Sequence, residues 1–211
     1  NGSVNLGYIQ GVYPKSSNSL NLNYKKDKLN LFSTLSYSYW QGFNDLNLDR
    51  KFRVPNSEEL SAVFDQRTIG GFNSKNTSLR IGADYQFNKN TTLGVQVNGT
   101  YNPRTFKANS RADIFDGKGL LDSTNLAVSE NTDKWKNFGT NLNFRRRLDT
   151  SGREITADLD YIWYGSSNLQ TSDNYTYYQP GNHLADSFLL KGDLPSDIRI
   201  YSAKVDYVHP L

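Results

Sequence analysis

Apolar and polar residues alternate along most of this chain, and the alternating runs are joined by turns of only three or four polar residues. Successive side chains of a β-strand point to opposite faces, so period-two hydropathy marks a strand whose two faces meet different surroundings. Leu79, Ile81, Ala83, Tyr85 and Phe87 alternate with Ser78, Arg80, Gly82, Asp84 and Gln86. Beyond Asn88-Lys89-Asn90 the pattern resumes, with Leu93, Val95, Val97 and Tyr101 against Thr92, Gly94, Gln96, Asn98 and Thr100. Two such runs about a short polar turn predict a hairpin.

The unit recurs. Phe138, Thr140, Leu142 and Phe144 run through Asp149-Thr150-Ser151-Gly152 to Ile155, Ala157, Leu159, Tyr161 and Trp163. Earlier, Leu20, Leu22 and Tyr24 lead through Lys26-Asp27-Lys28 to Leu29, Leu31, Leu35, Tyr37 and Tyr39. A first strand is expected over about Ser3 to Tyr13, with Val4, Leu6 and Tyr8 on one face, and a last one at Tyr201, Ala203, Val205 and Tyr207. Between the hairpins lie long polar segments, read as loops over 41–75, 108–134 and 165–195. Loops of that length are uncommon in compact soluble domains. Alternating short and long connections place every long one on the same side of the sheet, as in outer-membrane barrels.

Composition narrows the classes further. Only 36% of the 211 residues are hydrophobic, yet 13% are aromatic, which argues against disorder and suits a sheet with one apolar and one wet face. No run of about 18 apolar residues is present, so no transmembrane helix is expected; barrel strands give a much weaker signal. The start, Asn1-Gly2-Ser3-Val4, lacks the basic and apolar regions of a signal peptide, so any such segment is expected to have been removed or to lie upstream. The absence of cysteine excludes disulfides, thiol catalysis and Cys-ligated zinc. A net charge of +3 spread along the chain gives no footprint for nucleic acid, and Arg145-Arg146-Arg147 reads as a solvated strand end.

Aromatics sort to the strand ends. Tyr37, Tyr39, Tyr101, Phe138, Tyr161, Trp163 and Tyr201 fall toward the long connections, and Tyr24, Tyr85, Phe87, Phe144 and Tyr207 toward the short turns. Two aromatic girdles around an apolar band are a barrel signature. The expected architecture is therefore all-β: an antiparallel up-and-down transmembrane β-barrel, with about eight strands in one segment over 1–211. Lipid-facing candidates are Leu79, Ile81, Val95, Val97, Leu142, Leu159 and Trp163. Lumen-lining candidates are Arg80, Asp84, Gln96, Asn98, Asn141, Asn143, Asp158 and Asp160.

Several stretches also resemble a known family. Tyr24-Lys25-Lys26-Asp27-Lys28-Leu29-Asn30-Leu31-Phe32, followed by Tyr37-Ser38-Tyr39, is similar to part of the outer-membrane β-barrel of TonB-dependent receptor-like proteins. The hairpin from Leu79 to Gly99 extends the likeness. So do Asp133-Lys134-Trp135, Gly152-Arg153-Glu154 with Thr156 to Tyr161, and Leu194 to Ile198 with Tyr201 to Tyr207. This resemblance implies a larger barrel, an upstream plug, a TonB-type energising partner and an unknown ligand. It also implies the outer membrane of a Gram-negative bacterium, with outer-membrane lipid as a further partner. The chain's end at His209-Pro210-Leu211, where a short turn is due, fits a portion of such a barrel.

Catalytic signals are weak, and the expectation is a protein that is not an enzyme and takes no cofactor. His183 and His209 have no metal-pair spacing, and Asp158 and Asp160 at i, i+2 read as lumen residues rather than an acid–base pair. Asp113, Asp116, Asp122, Glu130 and Asp133 make one segment acidic without calcium-loop spacing. Two alternatives remain at this point: a small non-transporting barrel acting as anchor or adhesin, and a soluble carbohydrate-binding β-sandwich.

Overall fold

A computed structural model describes residues 1–210; Leu211 lies outside the described residues. Eight strands follow in chain order: β1 (Gly2–Gln10), β2 (Pro14–Lys26), β3 (Leu29–Arg53), β4 (Leu60–Asn88), β5 (Thr91–Asp116), β6 (Leu121–Arg147), β7 (Glu154–Tyr178) and β8 (His183–Val208). They form one antiparallel sheet in sequence order, an up-and-down meander in which each strand pairs only with its chain neighbours. The sheet is not closed: among the described residues, no ladder joins β1 to β8.

The register puts the expected residues on shared faces. One row across the sheet runs Tyr24, Leu31, Ala83, Val95, Leu142, Leu159, Ala203. The next runs Leu22, Ser33, Ile81, Val97, Thr140, Tyr161, Tyr201. Directly opposed residues of antiparallel strands lie on one face, so Leu79, Ile81, Ala83 and Tyr85 share theirs with Leu93, Val95 and Val97. At the short-turn end, Asp27 holds a φ of 50° in a two-residue link. Asp tolerates this left-handed conformation because its short side chain bonds locally.

Exposure is inverted relative to a soluble protein. Along β4, even-numbered residues from Gln66 to Ser78 are half-buried or buried, while odd-numbered ones from Asp65 to Leu79 are exposed. Crowding on one face of a single layer marks that face as concave, and here it is the polar one. The apolar face is convex and open: Val95 is 45% exposed, Leu142 42% and Leu159 55%. Among the described residues the only buried hydrophobic side chains are Ala108 and Ala112, and no large side chain is fully buried. A single layer with no core among the described residues does not favour a water-soluble sandwich.

The segments 41–75, 108–134 and 165–195 are not loops, which corrects the sequence expectation. β3 and β4 stay paired from Phe52 and Ala62 down to the short-turn end, so only Val54–Glu59 is a connection. The corresponding turns on the other two hairpins are 117–120 and 179–182. At 25–29 residues, β3 to β8 reach ~80–95 Å along their length. An apolar band of about 25 Å uses only part of that reach. The rest forms tall hairpins with polar residues on both faces, where alternation gives little hydropathy contrast to reveal it. The first strand is likewise shorter than expected, since Tyr13 falls in the connection before β2. No helix here is long and apolar enough to cross a membrane, which bears on helices alone.

Candidate functional site: the concave polar wall

The polar candidates come together on the concave face in three successive rows. Asn30, Asp84, Gly94, Asn143, Asp158 and Lys204 form one. Phe32, Gly82, Gln96, Asn141, Asp160 and Ser202 form the second, and Thr34, Arg80, Asn98 and Gly139 lie in the third. Hydrogen bonds tie the strands together: Asn30 Nδ2 donates to Asp84 Oδ2 at 3.1 Å and Asn23 Nδ2 to Asn30 Oδ1 at 3.0 Å. Arg80 donates to Gln96 Oε1 through Nε at 2.8 Å, Asn141 Nδ2 to Asp160 Oδ1 at 2.7 Å, and Asn143 Nδ2 to Asn141 Oδ1 at 3.2 Å. Asp160 is thus engaged by an amide, while Asp158 stands level with Lys204.

Aromatic rings also occupy this polar face, which hydropathy did not suggest. Phe32, Trp40, Phe72, Phe106, Trp135 and Tyr164 all project from it. Three rings lie over glycines of the neighbouring strand: Phe32 over Gly82, Phe72 over Gly42 and Phe106 over Gly70. A Cβ on Gly42 would stand 2.7 Å from Phe72, and one on Gly70 2.8 Å from Phe106. Glycine here supplies space, letting the concave wall hold a ring flat against backbone. The signal was present as Phe32 on the wet side of its run and as Gly42, Gly70 and Gly82 within strands. Cations cover some of the rings, with Arg80 Cζ 5.7 Å from the Phe32 centroid, Arg104 Cζ 5.4 Å from Phe72 and Lys15 Nζ 5.4 Å from Trp40.

The convex face carries Leu79, Ile81, Val95, Val97, Leu142, Leu159 and Trp163, in rows that become charged toward the tall hairpins. There Arg67 forks onto Asp45 at 2.8 and 3.0 Å, and its hydrogen bonds hold the Asp45 carboxyl below the usual carboxylate range. Burial pushes Asp113 upward, but bonds from Arg111 and Thr124 outweigh it and leave a net lowering. The acidic residues once assigned to a single loop are dispersed. Asp113 pairs with Arg111, Asp116 caps the turn through Lys118 and Leu120 N–H, Glu130 pairs with Lys107, and Asp133 accepts from Asn168. Among the described residues, no group of three or more His, Asp or Glu converges as a metal site.

An open antiparallel meander, polar on its concave side and apolar on its exposed convex side, has the wall architecture of an outer-membrane β-barrel. Residues 146–211, from the end of β6 through β8, match the family model of the outer membrane protein beta-barrel family. That match covers about a third of the chain and supports both a membrane barrel and an outer-membrane location. No curated protein matches the chain.

Proposed function

We propose that this chain is wall of a TonB-dependent receptor-like transporter, in which the convex apolar face meets lipid and the concave polar face lines a passage for ligand. The observation that carries this reading is the open sheet of eight strands with polar side chains along its concave face. Eight strands closed on themselves give an interior just wide enough for side chains to fill. An open arc of the same strands belongs to a wider barrel with room for a plug and a solute. The free edges of β1 and β8 then pair with further strands of the same barrel, because hydrocarbon leaves no water for unpaired backbone groups. Uptake draws on a TonB-type partner acting through the plug. This step rests on the resemblance of the hairpins around Asp27 and Lys89 to that family.

Cysteine pairs test the reading directly, since the native chain has none. Pairs are placed on β1 and β8, for example Leu6→Cys with single cysteines from Ile198 to Val205, in the full-length protein inserted in lipid. Larger-barrel geometry leaves every pair unlinked under mild oxidation. A disulfide forming in register would show a closed eight-stranded barrel and favour the anchor reading.

A further inference from the structure

On the convex face, several basic residues of the tall hairpins have acidic partners, while among the described residues Lys51 and Lys191 stand singly without one. Lys107 Nζ lies 2.9 Å from Glu130, Arg67 2.8 Å from Asp45 and Arg111 2.9 Å from Asp113. Unpaired lysines cluster at one level. Where the apolar band ends, Lys75, Lys134 and Lys136 are exposed on β4 and β6, and among the described residues none has a carboxylate partner within salt-bridge distance.

Register groups these three lysines. Lys134 and Lys136 are two apart on one strand face, so their Cα atoms are ~7 Å apart. Lys134 pairs with Pro103, and the ladder on either side puts Lys75 level with Pro103, two strands and ~9.5 Å away. Tyr37, Tyr101, Phe138 and Trp163 lie at or just below this level, and Lys136 Nζ sits 5.7 Å from the Tyr101 ring centroid. Lys134 and Lys136 border a shallow groove of about 250 Å³ with Trp163, Ser167 and Asp197. The one carboxylate there is occupied: Asp197 accepts from Trp163 Nε1 at 2.7 Å and pairs with Arg199 at 3.2 Å.

Three like charges this close repel one another. Apart from the Tyr101 ring beside Lys136, they have among the described residues no counter-charge within salt-bridge distance, the nearby Asp197 being engaged by Trp163 and Arg199. Their position beside the aromatic girdle is the headgroup level of a bilayer. We infer that Lys75, Lys134 and Lys136 form a binding site for the phosphate groups of a phosphorylated glycolipid in the leaflet that faces the tall hairpins. The inference rests on the lipid-facing reading of the convex face. Ammonium groups act as point charges on phosphate, Trp163 borders the acyl-chain side, and Ser167 offers a hydroxyl to the sugar.

The test uses the full-length protein in detergent micelles, titrated with diphosphorylated lipid A, its dephosphorylated form and inorganic phosphate. Each lysine near an anionic surface contributes about fivefold in binding, so the triple variant Lys75→Ala/Lys134→Ala/Lys136→Ala is expected to lose on the order of a hundredfold. Lys107→Ala, already matched to Glu130, serves as control and changes binding little. Equal binding by the triple variant, equal binding of dephosphorylated lipid, or full competition by inorganic phosphate at equal concentration would overturn the proposal. Co-flotation with phosphatidylcholine vesicles, which carry no net charge, reads membrane insertion separately. A triple variant that floats but still binds lipid A defeats this site alone, whereas a wild-type protein that fails to float defeats the membrane reading beneath it.

Discussion

Phe32 and Gly82 are register partners on β3 and β4, and the ring of Phe32 occupies the space that a side chain on Gly82 would fill. Gly82→Val is therefore expected to displace the ring and destabilise the barrel by about 1–3 kcal/mol, the usual range for overpacking. Combined with Phe32→Ala, the same change should cost less than the two singles added together. Urea unfolding of the four proteins in lipid vesicles measures the coupling, and strict additivity would show that the ring does not depend on the glycine.

Asn141 and Leu142 are chain neighbours at one depth on opposite faces of β6. Arginine at Leu142 is expected to cost about 2–4 kcal/mol near the bilayer midplane. Arginine at Asn141 would stand beside Asp160 on the wet wall and cost far less. Folding free energies in the same vesicles decide it; equal losses would contradict a lipid face.

Asp149 closes the β6–β7 turn. Its carboxylate accepts from Ser151 Oγ at 2.7 Å, from Arg153 N–H at 3.2 Å and from the Arg153 guanidinium, and these bonds lower its pKa from 3.8 to about 2. A depressed folded-state value means the turn is stabilised above pH 3.8 and loses that contribution as pH falls through about 2. Amide chemical shifts at Ser151 and Arg153, followed in micelles, should titrate in this acid window. Asp149→Asn should abolish the transition, and a midpoint near neutral pH would refute the assignment.

Hydrogen exchange tests the correction made to the long segments. Paired amides over 44–52 and 63–72 are expected to exchange slowly, while those at Asn56 and Ser57 exchange fast. Fast exchange throughout 41–75 would restore the loop description.

The difference between what could and could not be read follows from solvent. In the apolar band the two faces of each strand differ in polarity, so Leu79 to Phe87 and Leu93 to Tyr101 displayed their strands and which residues share a face directly. Above it the contrast is short and reversed: in Asn44-Asp45-Leu46-Asn47-Leu48-Asp49-Arg50, all in β3, only Leu46 and Leu48 alternate with polar residues, and they lie on the concave side. The turns themselves were visible in retrospect as Pro55-Asn56-Ser57, Asp116-Gly117-Lys118-Gly119 and Gln179-Pro180-Gly181-Asn182, each centred in a segment read as loop. On the polar face, period two assigns single residues to one side of their own strand. The ring-on-glycine pairs were missed because they are properties of register, which one strand's pattern does not contain. The lysine cluster was hidden for the same reason, since Lys75 and Lys134 are 59 positions apart in the chain.

Because each strand touches only its predecessor and successor, the wall has no keystone. Contacts form between neighbours in the chain, so construction can proceed one hairpin at a time, each new pair using the exposed rim left by the last. Such a structure behaves like a palisade: its circumference grows or shrinks by whole staves, and the remaining ones keep their pairing. Bore size is then set by counting, through gain or loss of gene segments encoding one up-and-down pair, without redesign of any existing junction.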